Sequence, residues 1–212
     1  MINLESILFL IVAYLLGSMP TSVIIGKKFY GIDIREYGSG NAGATNTFRI
    51  LGKKAGIPVL IIDILKGFSA TSLVLFITTL VPSTEQFVNT QLAYGIAAIL
   101  GHLFPVFAGF RGGKGIATLL GMVLAVHPPA AGICILIFIV ILLITKYVSL
   151  GSILGSVAFP FLIVFVYHTT IKSLIIFGIA IAILVILTHQ KNIERLLRGE
   201  ESKANLFKKK SV

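Results

Sequence analysis

The sequence of 212 residues has little charge, few acidic residues and a single cysteine. Charged residues make up 12% of the chain, and Cys134 lies inside the apolar run 130–144. A lone cysteine excludes a disulfide framework, and Cys134 has no metal-ligating partner at a useful spacing. The aspartates are only Asp33 and Asp63. No carboxylate, histidine or cysteine cluster has the spacing of metal ligands, so we expect neither a metal nor a cofactor.

Apolar residues are in excess and occur in long blocks. They make up 56% of the chain, with a mean hydropathy of +0.99, against about 45–50% in soluble domains. Because a helix of about 20 apolar residues spans a bilayer, the sequence predicts an all-α polytopic membrane protein with about seven transmembrane helices. We expect one domain over residues 1–212. The segments are roughly 4–26, 55–81, 92–110, 115–127, 129–145, 147–168 and 172–189.

The basic residues predict the orientation in the membrane. The net charge is +10, and if the N-terminus lies outside, sixteen of the eighteen basic residues, including Lys208 to Lys210, fall on the cytoplasmic side. Only Lys66 and Lys172 do not. Because positive residues collect in cytoplasmic loops and tails, we expect the N-terminus outside and the C-terminus in the cytoplasm. The first segment lacks a basic region before it and an A-x-A pattern, so it predicts a retained span rather than a signal peptide.

Three polar stretches interrupt this pattern, and the predicted topology places all three on the cytoplasmic side. The first is "GSGNAGATNTFR", residues 38–49. Its short side chains supply hydrogen-bond donors with little bulk, and Arg49 can bind a phosphate with two parallel hydrogen bonds. A flexible linker is the alternative. The candidate binding residues of this stretch are Ser39, Asn41, Gly43, Thr45, Asn46 and Arg49.

The second stretch is "GHLFPVFAGFRGGKGIAT", residues 101–118. Its glycines Gly112, Gly113 and Gly115 allow a close approach of the backbone to a ligand. A helix is expected from about residue 116, and backbone N–H groups before a helix form an anion cradle, to which Lys114 adds a charge. The Walker spacing is absent, so the pattern favours phosphate without indicating a nucleotide. A membrane-surface turn is the alternative.

The third stretch is "THQKNIERLLRGEE", residues 188–201. His189 and Asn192 lie three residues apart, on one face of a helix, and Arg195 follows on the same face. A lone histidine at a helix end is more often a surface residue than a ligand, so His189 by itself indicates little.

Ionisable residues also lie inside two predicted spans. Asp63 and Lys66 are three residues apart in the second span, which predicts a mutual ion pair facing the bundle interior with an orienting role. His102, just within the third span, is expected to be packed and hydrogen-bonded. We assign no role to His127 and His168, which fall on the outer side.

Together the three stretches resemble the motifs of the bacterial acyl-phosphate:glycerol-3-phosphate acyltransferases, the PlsY family. The resemblance covers the whole chain in length, span pattern and motif order. The departures are mild: Arg111 stands where many members have lysine, and the His-x-x-Asn core of the third motif is intact.

The resemblance implies an activity and a location. A fatty acyl phosphate donates its acyl group to the 1-hydroxyl of sn-glycerol 3-phosphate, which gives lysophosphatidic acid and phosphate in the first acylation of phospholipid synthesis. The enzyme would lie in the bacterial inner membrane with its active site facing the cytoplasm. Direct transfer is implied, with the substrate phosphate taking the hydroxyl proton, and a soluble enzyme that makes acyl phosphate would be its partner.

The residues agree with direct transfer. The chain lacks the H-x-x-x-x-D dyad of other glycerolipid acyltransferases, and no cysteine or serine has an evident base for an acyl-enzyme. Acyl phosphate already has a good leaving group, so positioning and charge stabilisation could suffice. The implied catalytic residues are Ser39, Arg49, Lys114, His189 and Asn192. The implied substrate-binding residues are Asn41, Gly43, Thr45, Asn46, Gly112, Gly113 and Gly115, and the orienting residues are Asp63, Lys66 and Glu200.

Three other classes of membrane protein are alternatives. A small transporter of a phosphorylated solute would fit the intramembrane pair Asp63–Lys66. Transporters, however, often bind their substrate near the membrane midplane between inverted repeats, and no repeat is apparent in this sequence. A CDP-alcohol phosphotransferase needs several metal-binding aspartates. A membrane scaffold gives no reason for three glycine-rich polar motifs.

Overall fold

The computed structural model describes residues 4–204, and the predicted lipid-facing lysines 208–210 lie outside this range. Within it the chain is helical and has no β-strand. The α-helices of the described range are α1 (Leu4–Ser18), α2 (Thr21–Tyr30), α3 (Ala44–Leu51), α4 (Lys53–Ser72), α5 (Glu85–Leu103), α6 (Ile116–Val126), α7 (Pro128–Thr145), α8 (Val148–Phe161), α9 (Lys172–Thr188) and α10 (Gln190–Leu197).

The helices confirm the all-α membrane fold that the apolar segments predicted, since each segment contains a helix. In residues 4–204, four helices are long and apolar enough to cross a membrane, or up to six if each bent pair is one span, by length and composition. The pairs are α1 with α2 and α9 with α10, bent by 41° and 61°. The fourth segment is the shorter apolar helix α6. The orientation of the termini remains a prediction.

Two boundaries differ from the sequence prediction, each for a local reason. The first segment breaks after Ser18 because Pro20 has no N–H to continue the helix. Helix α5 begins at Glu85, well before the expected start at 92. Thr84 provides the start signal, because its hydroxyl oxygen accepts the backbone N–H of Phe87 at 3.3 Å and caps the helix.

The described chain divides into two compact units, between Pro128 and Pro129, and whether they form a single domain stays a prediction. In the first unit, glycines bring helix backbones into contact. A Cβ on Gly17 of α1 would overlap the Ala98 carbonyl of α5, and one on Gly67 of α4 would overlap the Thr118 carbonyl of α6. Small residues have this effect in membrane bundles generally.

The second unit contains α7 from Pro129 onward and α8, α9 and α10. Phe159 of α8 packs edge-to-face on Phe177 of α9, with the ring centroids 6.4 Å apart. Gly178 of α9 faces Pro160 of α8. This packing holds α8 against the N-terminal half of α9, the helix whose last residue begins the third polar stretch.

Candidate functional site

The first loop (residues 31–43) joins α2 to α3, and Asn46 in the first turn of α3 holds its shape. The Asn46 amide donates to the carbonyls of Ile34 at 3.0 Å and Tyr37 at 2.9 Å. Its Oδ1 accepts the backbone N–H of Ser39 at 3.0 Å. Asn46 is 2% exposed and its side chain shapes the loop, while the substrate contact expected of it stays a prediction.

Other predicted binding residues of this stretch lie at the surface. Ser39 is exposed on the loop, and Thr45 and Arg49 are exposed on α3. Thr45 and Arg49 are four residues apart and therefore share one helix face. Asn41 is half-buried, and Gly43 occupies the N-cap position of α3. The surface of this segment thus presents two hydroxyls and one guanidinium.

The second loop (residues 104–115) joins α5 to α6 and folds back onto the end of α5. The N–H of Gly112 donates to the Leu103 carbonyl at 3.2 Å, and that of Gly113 to the His102 carbonyl at 3.1 Å. A Cβ on Gly112 would overlap the His102 carbonyl oxygen, and one on Gly113 would overlap His102 Nε2. These two N–H groups therefore bond within the protein and do not point outward as the sequence suggested. The glycines are needed because the loop lies against His102.

The end of the second loop keeps the features of an anion site. Lys114 is half-buried, and Gly115 has a left-handed backbone with φ 76°. Helix α6 begins at Ile116, as predicted. The first N–H groups of a helix have no acceptor within it and lie at the positive end of its dipole, so phosphate is the ligand that this end with Lys114 favours.

Asp63 and Lys66 form the ion pair that their spacing predicted, within the first unit. Lys66 Nζ lies 2.9 Å from Asp63 Oδ1, and both side chains are almost fully buried. Thr21 donates its hydroxyl to the same carboxylate oxygen at 3.1 Å. Lys66 also donates to the Met19 carbonyl at 3.1 Å, beside the break that Pro20 causes. The pair therefore supplies a hydrogen-bond partner for the backbone at this break. Polar backbone groups need such partners inside a membrane bundle.

His102 is packed and hydrogen-bonded, as predicted. Its Nδ1 lies 3.1 Å from the Thr118 hydroxyl and 3.9 Å from Asp63 Oδ1, and the residue is 6% exposed. The Nε2 edge of the ring lies against Gly113. One polar network therefore runs from the α1–α2 break, through the ion pair, to the second loop.

Arg35 makes a contact between the first and second loops that sequence reasoning missed. Its Nε and Nη2 donate to the two oxygens of Asp33 at 2.9 and 2.7 Å, and its Nη1 donates to the Ala108 carbonyl at 2.8 Å. The hydrogen bond from Arg35 lowers the pKa of Asp33, and the same bond raises the pKa of Arg35. An acid and a base two residues apart were visible in the sequence, but the partner across the second loop was not.

His189 lies in the second unit, between α9 and α10, and is 4% exposed. Its Nδ1 is 2.9 Å from the Val185 carbonyl oxygen. Because a carbonyl only accepts, Nδ1 carries a proton in this contact.

Glu201 anchors the third stretch, a role that the sequence assigned to Glu200. One Glu201 oxygen accepts from Ser149 at 2.9 Å and Asn192 at 2.7 Å, and the other accepts from Arg195 at 2.7 Å. Burial raises the pKa of Glu201, but the bonds from these donors outweigh it, and the net pKa is lowered. Glu200 is exposed. Neighbouring glutamates point in different directions, and only packing shows which one is buried.

Among the described residues, no group of three histidine, cysteine or acidic residues could hold a metal ion.

An all-helical chain with several apolar spans, and with basic and hydroxyl side chains on its loops, is an integral membrane protein suited to a phosphate-bearing substrate. The comparisons place it among the acyltransferases. The family model described as "Glycerol-3-phosphate acyltransferase" matches residues 7–199. The chain belongs to the glycerol-3-phosphate acyltransferase family.

Bacterial relatives match almost end to end. A glycerol-3-phosphate acyltransferase of Chlorobaculum tepidum is 42% identical, with 94% of this chain and 97% of the relative covered. That of Enterococcus faecalis is 44% identical with 99% of both chains covered. Glycerol-3-phosphate acyltransferase 3 of Bacillus anthracis is 47% identical, with 95% and 96% covered.

Two solved structures are similar throughout. They are crystal structures of PlsY, an integral membrane glycerol 3-phosphate acyltransferase. The glycerol 3-phosphate form has a TM-score of 0.83 at 40% identity, covering 94% of this chain and 96% of that one. The lysophosphatidic acid form has a TM-score of 0.79 at 40% identity, covering 93% and 94%. This likeness confirms the resemblance and the membrane fold.

Proposed function

We propose that this protein transfers an acyl group from a fatty acyl phosphate to the 1-hydroxyl of sn-glycerol 3-phosphate, as the first acylation of phospholipid synthesis. One observation supports it most: each of the two polar loop regions of the first unit carries a basic side chain able to bind phosphate, Arg49 on α3 and Lys114 before α6. A donor and an acceptor that both carry phosphate need two such groups. The relatives' names give the acceptor class.

The first unit supplies the proposed phosphate contacts. The Arg49 guanidinium can hold two phosphate oxygens at once, and the exposed hydroxyls of Ser39 and Thr45 add neutral donors. Lys114 adds a charge beside the N-terminal end of α6. Asn46 and the glycines Gly112 and Gly113 act indirectly, because they shape the loops that present these groups.

The third polar stretch carries the contacts to the glycerol part that the family resemblance implies. Asn192 donates its amide N–H to Glu201, which fixes the amide that we propose to contact a glycerol hydroxyl. His189 is proposed to contact the same kind of group. We assign these two residues the orientation of glycerol 3-phosphate.

The proposed reaction is direct. The 1-hydroxyl oxygen attacks the acyl carbon and forms the ester bond, while the bond from that carbon to the phosphate oxygen breaks. The hydroxyl proton passes to substrate phosphate, or through His189, and inorganic phosphate leaves. An acyl phosphate is a mixed anhydride, so positioning and charge stabilisation suffice without an acyl-enzyme.

The proposal includes a place in the cell. The protein would lie in the inner membrane of a bacterium as a single domain of residues 1–212, with the N-terminus outside and the polar loops facing the cytoplasm. The distribution of basic residues supports this orientation. A soluble phosphate acyltransferase would supply the acyl phosphate.

The identity of the acyl donor is the test of the proposed function. Purified protein is given glycerol 3-phosphate with palmitoyl phosphate, palmitoyl-CoA or palmitoyl-carrier protein, and lysophosphatidic acid and phosphate are measured. We expect turnover with the acyl phosphate alone. Turnover only with a thioester would refute the donor assignment, and no turnover with any donor, from folded protein, would refute the function.

The role of Arg49 has its own test. Arg49→Lys keeps the charge but loses the two-pronged contact, so we expect a rise of about tenfold in the KM of a phosphate substrate, equivalent to about 1.4 kcal/mol. Lys28→Arg, at an exposed position outside the polar stretches, is the control. An unchanged KM in folded Arg49→Lys protein would remove Arg49 from the site.

A further inference from the structure

We propose that Arg35 is a positioning residue for acyl transfer: its guanidinium ties the first loop to the second and so sets the spacing of the phosphate-binding groups on either side. The reaction it serves rests on the proposed function, whereas the tie between the loops can be tested without turnover.

The donors of Arg35 are used within the protein. Two of its nitrogens bond to Asp33 and a third bonds to the Ala108 carbonyl, with a longer contact of 3.5 Å to the Arg111 carbonyl. Lys27 lies 3.3 Å from the same Asp33 carboxylate. The Arg35 side chain is 15% exposed. This geometry suits a link between two segments and does not suit contact with substrate.

The link lies between the two sets of candidate groups. On one side, Arg35 follows Ile34, whose carbonyl accepts from Asn46, and the Asn46 amide in turn holds the backbone of Ser39. On the other side, the carbonyl of Arg111 stands immediately before the glycines that lead to Lys114. A shift at Arg35 is therefore passed to both.

Burial of apolar side chains anchors the two loops unequally. In the first loop Ile34 is fully buried and packs with Val23 and Ala42. In the second loop Phe107 and Phe110 are 64% and 58% exposed, so they do not fix its tip to the rest of the protein. At Ala108, the hydrogen bond from Arg35 attaches the second loop to the first.

Arg35→Lys is the first variant. One ammonium group cannot hold both Asp33 oxygens and the Ala108 carbonyl in the planar arrangement of a guanidinium. Arg111→Lys is the matched control, since it makes the same change in the second loop at an exposed side chain. If Arg35→Lys does not fold, Asp33→Asn is the second variant, because it weakens the contact within the first loop that orients the Arg35 guanidinium toward Ala108.

The first readout is the KM for glycerol 3-phosphate at saturating palmitoyl phosphate. A purely structural loss lowers the amount of active enzyme and hence kcat, but leaves the KM of the folded fraction unchanged. We expect the KM to rise at least tenfold over the Arg111→Lys control. A KM within twofold of that control overturns the proposal.

The second readout is hydrogen exchange in detergent, which needs no turnover. We expect faster exchange in both loops, residues 31–43 and 104–115, with the transmembrane helices unchanged. Wild-type exchange in the second loop would overturn the proposal. If the wild-type protein turns over no donor, the proposed function fails, and the exchange data still decide whether Arg35 ties the loops.

Discussion

Replacement of Glu201 by glutamine is expected to destabilise the second unit more than any neighbouring acidic substitution. The Glu201 carboxylate is 8% exposed and accepts three hydrogen bonds, from Ser149, Asn192 and Arg195. A glutamine side chain has one acceptor oxygen and one NH₂ group. Whichever way the amide turns, its NH₂ group faces another hydrogen-bond donor, from which it cannot accept a bond.

The size of the effect follows from these contacts. The bond from Arg195 is charge-assisted, and such a bond contributes about 1.5–3 kcal/mol. A donor left facing the amide NH₂ adds a desolvation penalty, so we expect a loss of about 3 kcal/mol in the free energy of unfolding. For a chain of this length that corresponds to a melting temperature lower by roughly 6–12 °C.

The assay is thermal unfolding of purified protein in detergent, with Glu200→Gln as the control. Glu200 is adjacent and exposed, so its substitution removes the same charge and is expected to change stability by less than about 0.5 kcal/mol. The reasoning is refuted if the two variants melt together, or if Glu200→Gln is the less stable.

The remaining predictions concern pH, the second loop and the buried ion pair. Because its folded pKa is lowered, Glu201 stabilises the protein fully above its unfolded pKa of about 4.3 and loses this effect as the pH falls through the lower folded value; below about pH 5 the melting temperature should therefore fall more steeply in wild type than in Glu201→Gln, and parallel curves there would contradict this. Gly113→Ala should displace the loop from His102 and lower kcat/KM by more than tenfold, whereas wild-type kinetics would show that the loop does not need this contact. Lys66→Met leaves Asp63 buried and unpaired and should cost about 3–5 kcal/mol in unfolding experiments; an equally unstable Lys66→Met, Asp63→Leu double variant would argue against that cause.

The sequence by itself determined the helices and the location of the polar segments. Long apolar blocks can satisfy their backbone only as helices in lipid, so the spans followed from composition. Asp63 and Lys66 are one helical turn apart, and local geometry alone brings their side chains together. Such features depend on residues that are near one another in the chain.

The tertiary structure decided which polar groups are available to a ligand. Asn46 and Thr45 are adjacent on α3, yet Asn46 is buried against the first loop and Thr45 is exposed. The N–H groups of Gly112 and Gly113 bond to the end of α5, which no glycine pattern reveals.

The contacts that sequence reasoning missed join residues far apart in the chain. Arg35 meets Ala108 across 73 positions, and Ser149 meets Glu201 across 52. Side-chain direction and distant partners depend on how helices pack, and a single sequence carries the periodicity of a helix but not its neighbours. The family could therefore be inferred from the sequence, while the division between exposed polar residues and buried ones that hold the loops required the fold.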